Sequence, residues 1–166
     1  MTGRFPHPVR DPAGHSFGHA PATPIALDPE RWLESREYLY AIDLFNHGYY
    51  WEAHEAWEGI WHAAGRKGAL ADFLKGLIKL AAAGVKVRER RAEGVRRHAQ
   101  RARALFAPID TAEFCGLAME ELMANAAHLV ASPPSASELD QPVEIVFDFI
   151  LAPRVTRLGI DELDSQ

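Results

Sequence analysis

Residues 46–62 read Asn46-His47-Gly48-Tyr49-Tyr50-Trp51-Glu52-Ala53-His54-Glu55-Ala56-Trp57-Glu58-Gly59-Ile60-Trp61-His62. Gly48 stands where a helix would stop in a left-handed cap, and Gly65 stands beyond the far end. Between them the spacing predicts a helix from Tyr49 or Tyr50 to Ala64. At about 100° per residue this helix divides into two stripes. Ala53, Ala56, Trp57, Ile60 and Trp61 make a core face. His54, Glu55, Glu58 and His62 fall on the other side with Trp51 among them. His54, Glu58 and His62 are successive i, i+4 neighbours, so they stack along one line.

Working outward, Asp28-Pro29-Glu30 is a helix start: an N-cap aspartate, a proline at the first helical position and an acid in the first turn. Trp32, Leu33, Leu39, Ile42, Leu44 and Phe45 follow at helical spacings to about Asn46. A third helix is expected from near Ala69 through Phe73, Leu77, Leu80, Ala81 and Val85. Its Gly76, Ala81, Ala82, Ala83 and Gly84 permit close approach of a neighbour. A fourth spans Ala92 to Phe106 and stops before Pro108, and Asp110 or Thr111 caps a fifth. The fold class is therefore all-α: a bundle of four to five helices, the first three forming the core, with extended arms at both termini.

The arms are marked by composition. Residues 1–27 hold five prolines and three histidines (His7, His15, His19) without apolar periodicity. The helical domain is expected over 28–130, and 131–166 reads as a linker and docking tail. Within the tail, Val143, Ile145, Phe147, Phe149 and Leu151 alternate with polar positions, a strand period without a second strand to pair with. Such a segment must dock on the helices, pair with a second copy of the chain as a homodimer through 143–151, or turn out helical.

The polar stripe carries the chemistry. Two imidazoles and two carboxylates on one line can bind a divalent cation or hold and release a proton near neutral pH. His54, Glu55 and Glu58 are the candidate acid, base or ligand groups. His54, Glu58 and His62 are the candidate metal set, the metal being the one cofactor the residues suggest. Trp51 is the candidate pocket wall, and Asp43, Tyr50, His62 and Lys79 complete the candidate ligand-binding residues. The zinc-protease pattern H-E-x-x-H fails at Glu58, and the di-iron pattern E-x-x-H fails because neither glutamate has a histidine three residues on.

Other classes are excluded or weakened. One cysteine among 166 residues leaves no disulfide framework and no multi-cysteine zinc site, and fits a reducing cytoplasm. No apolar run nears the ~20 residues of a membrane span, and the N-terminus lacks the apolar core of a secretory signal. Cys115 beside Phe114 is expected on the apolar side of the fifth helix, inert. Residues 86–103 carry eight cations and two acids, a local +6 against −5 for the whole chain. No aromatic residue there could stack bases, so the segment reads as a charged outer helix paired with acids, including Asp161, Glu162 and Asp164, rather than a nucleic-acid interface. Lys75, Lys79, Lys86 and Arg90 form a basic stripe on the third helix, of which Lys79 would reach the carboxylates of the second.

The stretch Leu44-Phe45-Asn46-x-Gly48-x-Tyr50-Trp51-Glu52-Ala53-His54-Glu55-x-x-Glu58-x-x-Trp61, followed by Phe73-Leu74-Lys75-Gly76-Leu77-Ile78-Lys79-Leu80-Ala81-Ala82-Ala83, resembles the family called domain of unknown function 309 over about Tyr38 to Phe106. The resemblance implies a small all-helical protein without an assigned activity. It also implies a glutamine where this chain has Lys79, so the charge at that position departs from the family pattern. Two readings stay open: a small-ligand or metal-binding pocket, hydrolytic in one version, centred on His54, Glu55 and Glu58, or a non-catalytic module in which the motif packs and the surface engages a protein partner.

Overall fold

The computed structural model describes residues 26–138 and 141–155. The Pro/His-rich arm as far as residue 25, with His7, His15 and His19, and the acids Asp161, Glu162 and Asp164 lie outside the described residues. A 3-10 helix, Pro29–Glu34, leads into α1 (Arg36–Asn46), α2 (Tyr50–Ala63), α3 (Ala69–Arg88) and α4 (Ala92–Phe106). A two-stranded hairpin, β1 (Glu113–Phe114) and β2 (Leu117–Ala118), precedes α5 (Met119–Ala131). The architecture is the expected all-α bundle. Among the described residues no helix is long and apolar enough to cross a membrane.

Each α-helix packs mainly on its neighbours in sequence, and two glycines of α3 fix how closely. A Cβ on Gly84 would lie 2.5 Å from the Tyr50 ring of α2, and one on Gly76 would collide with the Phe106 ring of α4. Aromatic rings thus sit directly on the α3 backbone from both sides, as its small residues suggested. Trp57 of α2 is fully buried together with Tyr38, Phe45, Phe73, Leu77 and Leu80.

Three boundaries depart from the sequence reading. The first helix is not continuous from Asp28: the Ser35 hydroxyl accepts the Tyr38 N–H at 3.3 Å and caps α1, which breaks the chain there. Asp28 does cap the 3-10 turn, but Leu33 points outward and is 52% exposed. The fifth helix starts at Met119 rather than at Asp110 or Thr111. Cys115 and Gly116 both take positive φ, 46° and 80°, and close a tight hairpin that no helix can contain. Cys115 is accordingly a turn residue, not a helical one. It is nonetheless buried, its carbonyl accepts the Tyr38 hydroxyl at 2.8 Å, and burial pushes its thiol pKa up to about 12, an unreactive state. Arg90 lies beyond the end of α3 in a left-handed turn (φ 59°) and donates to the Ser137 carbonyl, so it leaves the basic stripe.

The alternating segment 143–151 docks on the helices without forming a strand. Val146, Phe147 and Leu151 are buried while Ile145 is exposed, so its burial does not follow the period of two. Side chains satisfy its backbone in place of a ladder. Asn46 donates to the Leu151 carbonyl and accepts the Leu151 N–H, both at 2.8 Å, and the Tyr50 hydroxyl accepts the Val146 N–H at 3.0 Å. Phe147 stacks on Phe45 and Phe149, with ring centroids 5.6 and 4.9 Å away, and those two lie 6.1 Å from one another, so the three rings form a cluster. Gly48 (φ 85°) belongs to the same seam: a Cβ there would lie 2.7 Å from the Glu144 carbonyl, so glycine serves both the helix cap and the close approach.

Asn46→Ala removes both bonds to Leu151 and leaves a part-buried backbone pair unmatched. A loss of about 1–3 kcal/mol in urea unfolding is expected, with faster amide exchange at Val146 and Leu151. Unchanged exchange at those amides would show that the segment is held by its aromatic rings alone.

A candidate cation site in a three-helix groove

Two contacts set the register of α2 against α3. Tyr50 rides on Gly84, and the Lys75 ammonium lies 4.1 Å from the centre of the Trp61 ring, a cation–π contact. The two helices are therefore antiparallel, and His54 comes opposite Ala81 and Ala82. Two more contacts do the same for α3 and α4: Phe106 covers Gly76, and a Cβ on Gly94 would lie 2.9 Å from the Lys86 side chain. His98 then comes opposite Ala82 or Ala83, and Arg101 opposite Lys79. On α3 the residues that keep some exposure along this face are Asp72, Lys75, Lys79, Ala82 and Lys86, spaced three, four, three and four. They form a floor, with α2 as one wall and α4 as the other.

On the α2 wall, His54, Glu55 and Glu58 each place a ligand atom within 4.8 Å of the others, and all three are half-buried. The His54 side chain is 21% exposed and Glu58 37%. The Trp51 ring stacks on His54 almost in parallel, 2° between planes and 5.3 Å between centroids, which fixes the orientation of the imidazole. His54 Nδ1 is buried and has no hydrogen-bond partner among the described residues. Glu58 Oε2 stands 3.6 Å from it, too far for a hydrogen bond. Glu58 Oε1 stands 3.9 Å from His62 Nε2, again too far, so the carboxylate lies between two imidazoles and bonds to neither.

The other residues singled out in the sequence are placed unevenly. His62 accepts a hydrogen bond from Arg66 Nε at 2.9 Å through Nδ1 and lies outside the His54–Glu55–Glu58 cluster. Tyr50 is buried in the core, bonded to Val146, and Asp43 is exposed on α1. Lys79 is on the groove floor, where its charge and that of Glu58 act on one another. Lys75 is held over Trp61 rather than freely solvated. Part of the basic segment is matched, by Lys86–Glu89 and Arg96–Glu93 within it and by Arg88–Glu144 from the C-terminal segment.

Burial and crowding of cations set the protonation of the groove. Burial lowers the His54 pKa, with Lys75 and Lys79 acting in the same direction against Glu58. Burial lowers that of Lys79 as well, with Lys75 and Arg101 adding to it and Glu58 opposing. His98 is pushed down to about 4 by burial, then by Lys79, Lys86, His54 and Arg97. His98 and Arg101 were not legible as site residues, because their role depends on the register between α3 and α4. The signal the sequence does carry is the grouping of Arg97, His98 and Arg101 near one another on the fourth helix.

Residues 38–98 match a family model described as a domain of unknown function (DUF309). The matched span includes every groove residue named above except Arg101. No curated protein matches the chain.

The depressed His98 pKa has a sign that can be tested. Unfolded, this imidazole takes up a proton near pH 6.5; folded, it resists until about pH 4. Its contribution to stability is complete above pH 6.5 and is lost as the pH falls from 6.5 to about 4. An NMR titration is expected to place its midpoint near 4 and to move it upward in Lys79→Gln; a midpoint near 6.5 in the folded chain would contradict the buried, cation-crowded placement.

Proposed function

We propose, from the premise that this chain carries the domain of unknown function 309, that it binds a divalent cation of the zinc or manganese kind between His54, Glu55 and Glu58 and uses it in hydrolysis of a small molecule. One observation carries the reading: a buried imidazole nitrogen without a hydrogen bond, facing a carboxylate oxygen at 3.6 Å. Leaving such an atom unsatisfied costs about 1–3 kcal/mol, and contact with a carboxylate at that distance recovers little of it. Two donors bound tetrahedrally to one zinc ion lie about 3.4 Å apart, given metal–ligand distances of about 2.0–2.2 Å. The pair is therefore spaced for an ion between them, and Glu55 supplies the third ligand.

One imidazole and two carboxylates suit zinc and manganese. Three protein ligands leave a coordination position open, which is the arrangement of catalytic rather than structural zinc. A cation there supplies Lewis acidity for hydrolysis. Trp51 contributes by holding the imidazole plane and by shielding one side of it from water. Lys79 opposes the cation electrostatically, so removing its charge is expected to strengthen metal binding. The reading in which the motif serves packing alone accounts for Tyr50, Ala53 and Trp57, which are buried, but gives no role to His54 and Glu58, which stay half-buried.

Calorimetric titration of chelator-stripped protein with Zn²⁺, and separately with Mn²⁺, tests this. One ion per chain is expected, with affinity lower by on the order of 100-fold in His54→Ala and Glu58→Gln. Circular dichroism of the same variants should be unchanged, since neither side chain belongs to the core. Equal metal binding by the wild type and both variants, or none by the wild type, would overturn the proposal.

A further inference from the structure

The cation site accounts for one wall of the groove and leaves the floor and the opposite wall unexplained. Lys79 projects from the floor at the level of Arg101 on α4, as the Phe106–Gly76 and Lys86–Gly94 contacts require. Among the described residues neither Lys79 nor Arg101 pairs with a carboxylate, whereas Lys86, Arg88 and Arg96 on the same helices each do. Two cations placed side by side repel one another, Lys79 from a half-buried position and Arg101 from an exposed one, and an anion between them removes that cost.

We propose that the groove takes the phosphoryl group of a small phosphate monoester, held by Lys79 from the floor and Arg101 from the α4 wall beside the His54–Glu55–Glu58 cation site. The assignment rests on the cation reading above and follows from charge. A divalent ion neutralises the two carboxylates of α2, and the Lys79 ammonium and Arg101 guanidinium, with Lys75 nearby over Trp61, then leave an excess of at least two positive charges. A phosphate monoester is close to a dianion at neutral pH, its second pKa being about 6, and it offers tetrahedral oxygens to the guanidinium fork, the ammonium and the cation together. A carboxylate brings one charge and two oxygens, which leaves one of the two side-chain cations unanswered.

Arg101 and Lys79 are ligand-binding groups in this arrangement. They draw charge from the non-bridging oxygens while His54, Glu55 and Glu58 hold the cation on the other side. Hydrolysis of such an ester forms a P–O bond from water and breaks the P–O bond to the alcohol. The products are the alcohol, which takes up the proton released by water, and inorganic phosphate.

Inorganic phosphate is the probe. The full chain, in Zn²⁺-loaded and chelator-stripped forms, is titrated calorimetrically with phosphate and in parallel with acetate. The wild type is expected to bind one phosphate, tightest with zinc present, and to bind acetate at least tenfold more weakly. Lys79→Gln and Arg101→Gln should each weaken phosphate by roughly ten- to a hundredfold, the range for a hydrogen bond to a charged group. Zinc affinity should be unchanged or higher in Lys79→Gln, which also shows that this variant is folded. Phosphate bound equally by the wild type and both variants, acetate bound as tightly as phosphate, or no phosphate binding by zinc-loaded wild type would overturn the proposal and leave the cation reading standing. Phosphate binding that is lost in Lys79→Gln, in a chain that takes up no zinc, would support the anion site and overturn the cation reading alone.

Discussion

The structure depends on how closely α3 is approached from both sides. Tyr50 lies on Gly84 and Phe106 lies on Gly76, so α2 and α4 are locked at defined heights along one helix. Any larger residue at either glycine would push an aromatic ring off the backbone and shift the register. That register brings His54 and His98 to one level, with Lys79 and Arg101 about one turn along, although 44 positions separate the two histidines. Ala82 is the small, part-exposed residue of α3 at the level of the two imidazoles.

The same helices serve stability and site without conflict because the two duties fall on different faces. Tyr50, Ala53 and Trp57 of α2 point into the core, and Tyr50 also holds the C-terminal segment through Val146. One turn away, His54 and Glu58 stay half-buried, with a nitrogen unbonded and a carboxylate between two imidazoles. The core offsets this local cost: a fully buried tryptophan alone contributes about 3–5 kcal/mol relative to alanine. A buried imidazole nitrogen left unsatisfied on an otherwise well-packed helix is the pattern expected of a binding site.

How much of this was legible in the sequence follows from the range of the interactions concerned. Helices α2 to α4 were readable because periodicity and glycine stops are local signals, and the α4 bounds of Ala92 and Phe106 were reproduced. The division of α2 into a core face and a polar face was readable for the same reason. The break at Ser35 depends on one hydroxyl winning over helix continuation, and the hairpin at Cys115 needs a non-glycine residue at positive φ; neither leaves a periodic trace. The segment 143–151 imitated a strand because its aromatic rings alternate, yet those rings dock on Phe45 and Tyr50. Arg97, His98 and Arg101 were readable as neighbours on the fourth helix, but what they face was not, because a pairing between helices cannot be seen along one of them.

The account stands on a cation filling the space between His54 and Glu58. Crystals grown with Zn²⁺, measured on either side of the zinc absorption edge, test it most directly. The account predicts a single anomalous peak in the groove, about 2.0–2.2 Å from a His54 ring nitrogen and from oxygens of Glu55 and Glu58. A map without density at that point, with Trp51 still stacked on His54 and Glu58 still standing between His54 and His62, would contradict it.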